Sequence, residues 1–435
     1  MRHATGRWPR WPLWLALAAA LAQCGGGGGG GGGSSSAPAE TPAVPGNTGA
    51  GSPSPAAPPA PAPAPAPSAV PLKLTEVITG LSNPWSLAFL PDGRMLITER
   101  AGRLRLRQAD GAAPSGGDGV SGVPAVLAEG QGGLLDVVVD PDFGTNRRIY
   151  LTFSQGTASA NGTAVARAEL DADAKLLRNL TVIFQQLPKV ASSAHFGSRL
   201  VFDRGAQLFV TLGERLLDAQ RGFAQDLARD NGKVMRLATD GSPAVGNPLP
   251  AVAGTHQDSI WSYGHRNPQG AALHPATGEL WVSEHGPQGG DEINRVLPGR
   301  NYGWPVISYG QEYGTTTPVG EGIAKVGMEQ PVTYWETASG AAWSGGAKSS
   351  IAPSGLAFYT ADAIPQWKGN LFVGALAGTA LWRLTLSGNE VTARERLLAE
   401  RGERIRDVRQ GPDGALYLLT DASPNGKLLR FEAVR

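Results

Sequence analysis

The sequence has little cysteine, little charge imbalance and little helical pattern. Its 435 residues include one cysteine, Cys24, so no disulfide can form within a single chain. The 38 basic and 37 acidic residues leave a formal charge of +1, so no net field attracts nucleic acid or an acidic membrane. From residue 72 onward the helical hydrophobic period is almost absent, which argues against an α-helical domain.

The first 24 residues resemble an export signal. An apolar run from Trp11 to Ala22 follows three arginines, Arg2, Arg7 and Arg10. This run is shorter than a transmembrane helix requires. Leu21-Ala22-Gln23-Cys24 is similar to a bacterial lipobox, which would make Cys24 a lipidated first residue, and ordinary cleavage after Ala20-Leu21-Ala22 is the alternative. We therefore expect an exported protein, periplasmic or an outer-membrane lipoprotein facing the periplasm, with membrane contact only through a lipid on Cys24.

Residues 25–71 are low in complexity. They consist of polyglycine, then serine, then Pro-Ala repeats. Such a segment has few apolar residues to bury, so it predicts a disordered linker that is stiffer in its Pro-Ala half. The predicted globular domain is residues 72–435.

One phrase recurs six times in this domain: a turn, a small residue, and then four or five strand formers. The copies lie at residues 90–98, 140–152, 202–211, 274–283, 367–374 and 411–420. Each is a hairpin signature, and a four-stranded blade needs about 40–50 residues. The pattern predicts an all-β fold, a six-bladed β-propeller of four-stranded antiparallel blades, in which ring closure protects the sheet edges. A two-sheet sandwich is the alternative, but it does not explain six copies. The uneven spacing predicts insertions, the longest between about 305 and 350.

A second set of short segments precedes these phrases. If each phrase supplies the second and third strands of a blade, the preceding segments are the innermost strands, and their leading residues converge at one mouth of the axis. The polar residues placed there are Gln131, His195, Arg266, Asn267, Arg404 and Arg406. Three arginines around one cavity predict an anion with several carboxylates.

Residues 261–305 concentrate the groups suited to a metal. The turn Gly286-Pro287 offers backbone carbonyls, and the carboxylates of Asp291 and Glu292 follow it. These are the oxygen ligands that calcium takes. Because Arg266 can grip a carboxylate with two hydrogen bonds, the stretch predicts a place where a metal and an anionic organic ligand meet.

Four motifs in this order resemble those of the soluble PQQ-dependent sugar dehydrogenases, of the glucose or aldose type. They are Gly264-His-Arg-Asn-Pro-Gln-Gly270, Ser283-Glu-His-Gly-Pro287 with Gly289-Gly-Asp-Glu-Ile-Asn294, Asn301-Tyr-Gly-Trp-Pro305 and Arg404-Ile-Arg-Asp-Val408. The resemblance covers residues 72–435. It implies oxidation of aldose sugars at the anomeric carbon by hydride transfer to the quinone PQQ, with calcium as second cofactor and an external electron acceptor. A homodimer is one expected oligomeric state.

The resemblance also implies roles for single residues. His195 matches the general base, a task suited to a group whose pKa lies near the working pH. Gln131 matches the residue that positions the sugar hydroxyl. Arg266 lies where the family stabilises negative charge on the reacting quinone oxygen, with Asn267 beside it. The residues expected to bind the cofactor are Arg266, Asn267, Arg404, Arg406 and Ser350.

For calcium, the resemblance implies two sites. The carbonyls of Gly286 and Pro287 match ligands of the ion that polarises the quinone. Glu292 and Tyr302, with Asp291, resemble a second site of structural character.

Some positions depart from the family pattern. Ala377 stands where the family has a lysine for the cofactor, and Lys348 is the residue that could replace that cation. Ala194 and Ser198 stand where other members have an acidic residue and a glycine. These departures concern the affinity for PQQ and the choice of sugar.

Two other functions fit the same architecture. A calcium-dependent sugar lactonase would need a metal held on the axis by side-chain carboxylates and amides, whereas this mouth is rich in arginine. A non-catalytic propeller that binds a glycan or a protein is the second alternative, because fold alone does not fix function.

Overall fold

The computed structural model describes residues 71–434, and within them the chain forms six four-stranded antiparallel sheets. In chain order the strands are β1 (Leu72–Leu81), β2 (Pro84–Phe89), β3 (Met95–Glu99), β4 (Arg103–Arg107), β5 (Gly119–Val120), β6 (Leu134–Val139), β7 (Arg148–Thr157), β8 (Ala160–Leu170), β9 (Leu177–Gln185), β10 (Gly197–Phe202), β11 (Leu208–Leu212), β12 (Lys233–Leu237), β13 (Ile260–Tyr263), β14 (Pro268–Leu273), β15 (Leu280–Glu284), β16 (Asp291–Val296), β17 (Thr333–Trp335), β18 (Pro353–Phe358), β19 (Leu371–Ala375), β20 (Ala380–Ser387), β21 (Glu390–Leu397), β22 (Ile405–Gln410), β23 (Leu416–Thr420) and β24 (Gly426–Ala433).

The helices of the described residues are short. They are α1 (Phe143–Asn146) and α2 (Asp218–Arg221), with 3₁₀ turns at Gly222–Gln225, Gln257–Ser259, Pro365–Trp367 and Ala399–Arg401. None of the helices in residues 71–434 is long and apolar enough to cross a membrane.

The six sheets are the blades of a closed ring, which confirms the predicted six-bladed propeller. Blades one to five run β2–β5, β6–β9, β10–β13, β14–β17 and β18–β21, and blade six combines β22–β24 with β1. The first strands β2, β6, β10, β14, β18 and β22 contact one another in cyclic order, so they are the innermost strands. Apolar clusters fill the spaces between adjacent blades. The predicted leader and linker lie outside the described residues, except for Pro71.

Two details differ from the prediction. Each recurring phrase contains the turn from the first to the second strand and then the second strand, not the second and third strands; Leu90–Arg94, for example, joins β2 to β3. The Asp-Gly-type turn signal marks that first link, and the innermost strands remain those predicted. The longest connection, residues 297–332, lies inside blade four, close to the predicted position.

A β-bulge recurs in all six blades. The register between first and second strand shifts within the first four residues of every inner strand. The shift re-aims the residues around it. The third residues of the six inner strands are Ser86, Asp136, Arg199, Gly270, Gly355 and Asp407.

Arg199 closes the axis below the mouth. Its buried guanidinium lies 3.1 Å from both Asp136 and Asp407 and 4.3 Å from the ring centroid of Trp85. Gly355 leaves room for the Asp407 carboxylate, because a Cβ atom at Gly355 would lie 2.4 Å from it. Since each buried charge has an opposite partner, the network forms a polar floor for the cavity above it.

Hydroxyl groups near the end of the second strands join adjacent blades. The Thr98, Thr152 and Thr211 hydroxyls donate to carbonyls of the next blade, at 2.6, 2.8 and 2.8 Å. Each also accepts a backbone N–H of its own inner strand, such as that of Arg199 at 2.9 Å. One side chain thereby satisfies two buried backbone groups that the bulge would leave unpaired.

We expect Thr211→Val to destabilise the fold by about 1–3 kcal/mol, because valine keeps the shape but leaves the Arg199 N–H and the Pro268 carbonyl unpaired. Denaturant unfolding measures the loss. Thr181→Val, on the outer strand β9 at an exposed position, is the matched control and should change stability by less than about 0.5 kcal/mol. Equal stability of the two variants would contradict the bridging role.

Candidate active site

His195 lies directly before the inner strand of blade three. It has a φ of +50° and is buried. Its backbone N–H donates to the Gln131 side-chain oxygen at 2.9 Å, and its ring Nδ1 lies 2.7 Å from Glu214 Oε1. Burial lowers the pKa of His195 well below its ordinary value, and the positive charges of Arg266 and Arg215 add to this. A neutral imidazole whose Nδ1–H donates to the Glu214 carboxylate has Nε2 as its free acceptor.

Glu214 is a functional candidate that the sequence reasoning missed. Leu216 N–H donates to its second carboxylate oxygen at 2.6 Å, which fixes the orientation of the carboxylate. Burial raises the pKa of Glu214 to about 7, although Arg266 and the Leu216 hydrogen bond oppose the rise. A carboxylate on Nδ1 selects the tautomer and holds the ring in place.

Arg266 and Asn267 come before the inner strand of blade four. The Arg266 guanidinium contacts the Gly286 carbonyl, donates to the Tyr313 hydroxyl at 3.0 Å, and lies 5.0 Å from the Trp304 ring centroid. The side-chain amide oxygen of Asn267 accepts the Gly197 N–H at 3.1 Å. Both side chains are thereby fixed between blades three and four.

Arg404 comes directly before the inner strand of blade six, and Arg406 is the second residue of that strand. Arg406 donates to Gln269 at 2.8 Å and to Asp421 at 2.9 Å, and Arg404 lies 3.4 Å from the same carboxylate oxygen. Burial alone would raise the pKa of Asp421, but the Arg406 and Arg404 charges outweigh it and lower the pKa to about 2. The sequence reasoning missed Asp421, which stays ionised and offsets part of the positive charge.

His285 links these groups. Burial lowers its pKa well below the ordinary value, and the neighbouring His195, Arg266 and Arg406 add to this. Its backbone N–H donates to the Asn267 backbone carbonyl at 3.2 Å, and its own carbonyl accepts the Arg266 guanidinium at 3.2 Å. The structure brings together the predicted Gln131, His195, Arg266, Asn267 and Arg406 at one mouth, with Arg404 half-exposed at its edge.

In the structure, the groups predicted for the first calcium site bind partners within the protein. The Gly286 carbonyl accepts the Arg266 guanidinium, and the Gly286 N–H donates to Asp291 at 2.9 Å. Asp291 also accepts the Ser350 hydroxyl at 2.7 and 2.8 Å and the Ile351 N–H at 2.6 Å. Asp291 and Ser350 therefore bind each other and tie the Gly286-Pro287 turn to blade five.

A small cavity beside Gly286 is lined by Glu292 and Tyr302 of the second predicted metal group, whereas the third member, Asp291, is not among its lining residues. Glu284, Glu292, Tyr302 and Ser308 are among the residues that line it. Burial, together with the neighbouring Glu284 carboxylate, raises the pKa of Glu292 to about 8. The Tyr302 hydroxyl is committed elsewhere, because it contacts the Arg295 carbonyl and accepts the Leu297 N–H at 2.8 Å. Two neighbouring buried carboxylates are stabilised in their ionised form by a cation.

Several buried polar atoms around the mouth have no partner in residues 71–434. They include Arg266 Nε, Asn267 Nδ2, His285 Nε2 and Arg406 Nε. A buried donor without an acceptor is costly, and these lie on residues predicted to hold the cofactor or to line its pocket. Their chemistry fits a ligand rich in carboxylate and carbonyl oxygens, as PQQ is.

The departures from the family pattern can now be located. Ala377 is exposed and supplies no cation. Lys348 does not make up for it, because its ammonium group is bound by Glu336 at 2.7 Å and by the Tyr309 carbonyl at 2.6 Å. Ser198 adopts a φ of +83°, a conformation that favours glycine.

Comparison with known proteins supports the motif assignment. The Glucose / Sorbosone dehydrogenase family profile matches residues 81–430. The aldose sugar dehydrogenase of Escherichia coli (strain K12) is 47% identical over 355 residues, covering 80% of this chain and 90% of that protein. The crystal structure of the soluble E. coli enzyme in its apo form superposes with a TM-score of 0.75 at 44% identity, covering 83% of this chain and 100% of that one. The PQQ-bound aldose sugar dehydrogenase of Streptomyces coelicolor has a TM-score of 0.65 at 30% identity, covering 84% and 100%. The resemblance predicted from the four motifs is confirmed: this chain belongs to the glucose/sorbosone dehydrogenase family, the soluble PQQ-dependent sugar dehydrogenases.

Proposed function

We propose that the protein is an exported PQQ- and calcium-dependent dehydrogenase that oxidises aldose sugars at the anomeric carbon, with His195 as general base. One observation carries the proposal: the buried His195 ring, with its Nδ1 2.7 Å from Glu214, lies beside Gln131 and Asn267 at one mouth of the propeller. The relatives named above are aldose sugar dehydrogenases, one of them bound to PQQ.

The residues of this chain act on the sugar through position and charge. His195 Nε2 takes the proton of the anomeric hydroxyl, and the imidazolium that forms is stabilised by Glu214. Gln131, which accepts the His195 N–H, lies beside the base and orients the hydroxyl. The Arg266 guanidinium stabilises negative charge at the reacting centre without reorganising, because its contacts already fix it. When bound, PQQ would supply the hydride acceptor and the link to the external electron acceptor.

The cofactor would be held by the unpaired donors of the mouth. Arg406 and Arg404 would bind its carboxylates, and Asn267 Nδ2 would donate to one of its oxygens. Ser350 enters this proposal through Asp291, to which its hydroxyl is bonded.

Calcium fits two places by the chemistry of their donors. The Gly286 carbonyl contacts Arg266 through one lone pair, and its second lone pair, with the Pro287 carbonyl, would hold the ion that polarises the quinone. The cavity with Glu284 and Glu292 would hold the structural ion, with Tyr302 in its lining and Asp291 acting through the turn. Residues 71–434 contain no group of three or more His, Cys, Asp or Glu placed to hold a metal.

Reconstitution tests the function. Protein stripped with a chelator should reduce a redox dye in the presence of an aldose only after both PQQ and calcium are added. A sugar analogue that lacks the anomeric hydroxyl, 1,5-anhydroglucitol, is the matched control and should give no reduction. Absence of reduction with every aldose tried would contradict the dehydrogenase, and lactone hydrolysis without PQQ would favour a lactonase.

A further inference from the structure

Arg100 is a cation of the mouth that none of the four motifs contains. It follows the second strand of blade one, so it lies at the same end of the propeller as the start of the inner strand. Its backbone is fixed by two adjacent blades: its N–H donates to the Asn83 carbonyl at 3.1 Å, and its carbonyl accepts the Leu134 N–H at 3.1 Å. Gly133 allows this packing, because a Cβ atom there would collide with the Arg100 carbonyl.

The side chain of Arg100 points along the rim of the pocket. One terminal nitrogen donates to the carbonyl of Gly130, next to Gln131. Its Nε is buried and has no partner in the described residues, as is true of Arg406 Nε. The guanidinium is therefore only partly satisfied by the protein, on the side of the mouth where the predicted sugar-positioning residue lies.

Arg100 is also close enough to blade six to act on its charges. Burial lowers the pKa of Arg406, and the charges of Arg100 and Arg404 add to this. Asn83, whose carbonyl accepts the Arg100 N–H, donates through its side chain to Asp421 at 3.4 Å. Asp421 is also the carboxylate that Arg404 and Arg406 contact. Three guanidinium groups against one carboxylate leave an excess of positive charge in a partly buried site, and such an excess is stabilised by a bound anion.

The family pattern places a cation on blade five, whereas the excess positive charge of this chain lies between blades six and one. Blade five contributes no cation, because Ala377 replaces the lysine and Lys348 is bound to Glu336. We propose that Arg100 is a cofactor-binding residue of this chain that binds a carboxylate of PQQ, so that the cationic grip lies between blades six and one instead of between blades five and six. This inference rests on the proposed function.

Binding measurements on the full protein test the inference without activity. PQQ is titrated into stripped protein with calcium present, and binding is followed by quenching of tryptophan fluorescence. Arg100→Gln, which removes the charge but keeps a polar side chain, should raise the Kd for PQQ about 10- to 100-fold, the usual effect of losing a hydrogen bond between charged groups. Arg100→Lys should recover part of the affinity. Arg94→Gln removes the same charge from the other end of β3 and should leave the Kd within about twofold.

The trimethyl ester of PQQ separates a carboxylate contact from a structural effect. With the ester, the parent protein and Arg100→Gln should bind equally, because the anionic partner of Arg100 is gone. A Kd of Arg100→Gln for PQQ within twofold of the parent would overturn the inference alone, as would an equal loss of affinity for the ester. If the parent protein itself bound no PQQ, the proposed function would be contradicted, and the inference that rests on it would be contradicted as well.

Discussion

Replacing His195 by alanine should lower kcat/KM for an aldose by about 10³-fold, within the range of about 10²–10⁴ that a positioned general base contributes. The reason lies in the geometry: Nε2 is the free acceptor of a neutral ring whose Nδ1 is 2.7 Å from Glu214. Alanine removes the proton acceptor but none of the arginines predicted to bind carboxylates. Steady-state dye reduction measures the loss, and titration with PQQ should give a Kd within a few-fold of the parent.

The control for this variant is a histidine that lies away from the mouth. His274 lies in the turn before β15, at the other end of blade four. His274→Ala should leave both turnover and PQQ affinity near the parent values. Turnover by His195→Ala at the parent rate would show that another group takes the proton. Loss of PQQ binding along with turnover would show that His195 acts mainly in shaping the pocket.

Arg266→Lys should lower kcat by about 10²-fold, the loss expected when a preorganised donor is removed from a developing charge. Lysine keeps the positive charge but cannot reproduce a fork that contacts the Gly286 carbonyl, the Tyr313 hydroxyl and the face of Trp304 together. The loss should appear in kcat more than in KM, because the contact is stronger in the transition state than in the bound sugar.

A matched control exists on the outer wall of blade three. Arg236 lies 5.2 Å from the Trp261 ring centroid and pairs with Asp203 at 2.7 Å, so it has a similar chemical setting away from the mouth. Arg236→Lys should leave kcat unchanged. A normal kcat in Arg266→Lys would mean that charge alone suffices at this position, and that the fork has no role in the transition state.

The sequence predicted the propeller because each blade repeats its turn chemistry and its strand pattern. It predicted one half of the mouth for the same reason, since Gln131, His195, Arg266 and Arg406 all lie at or near the start of an inner strand. The remaining residues of the mouth were not predicted, although the geometry of an antiparallel blade indicates where they lie. The first two strands of a blade are antiparallel, so residues just after the second strand also face the mouth. Arg100, Glu214 and Asp421 all occupy that position.

Other features could not be read from the pattern. Asp291 and Ser350 were predicted for different ligands, but they lie side by side because blades four and five meet there. The binding of Lys348 by Glu336 depends on the path of residues 336–352, which has no strand period to define it. Contacts of this kind follow from the packing of long connections, which local propensity does not determine.

The pairing of β1 with β24 has a consequence for how the protein is made. Leu72 lies opposite Ala433, so the first strand of the ring has no partner until the last strand has left the ribosome. Contacts this distant in sequence form slowly. In a nascent chain the ring of blades therefore stays open until β24 has been synthesised. A chain that terminates before Gly426 would expose two unpaired strand edges, which are templates for association with other chains.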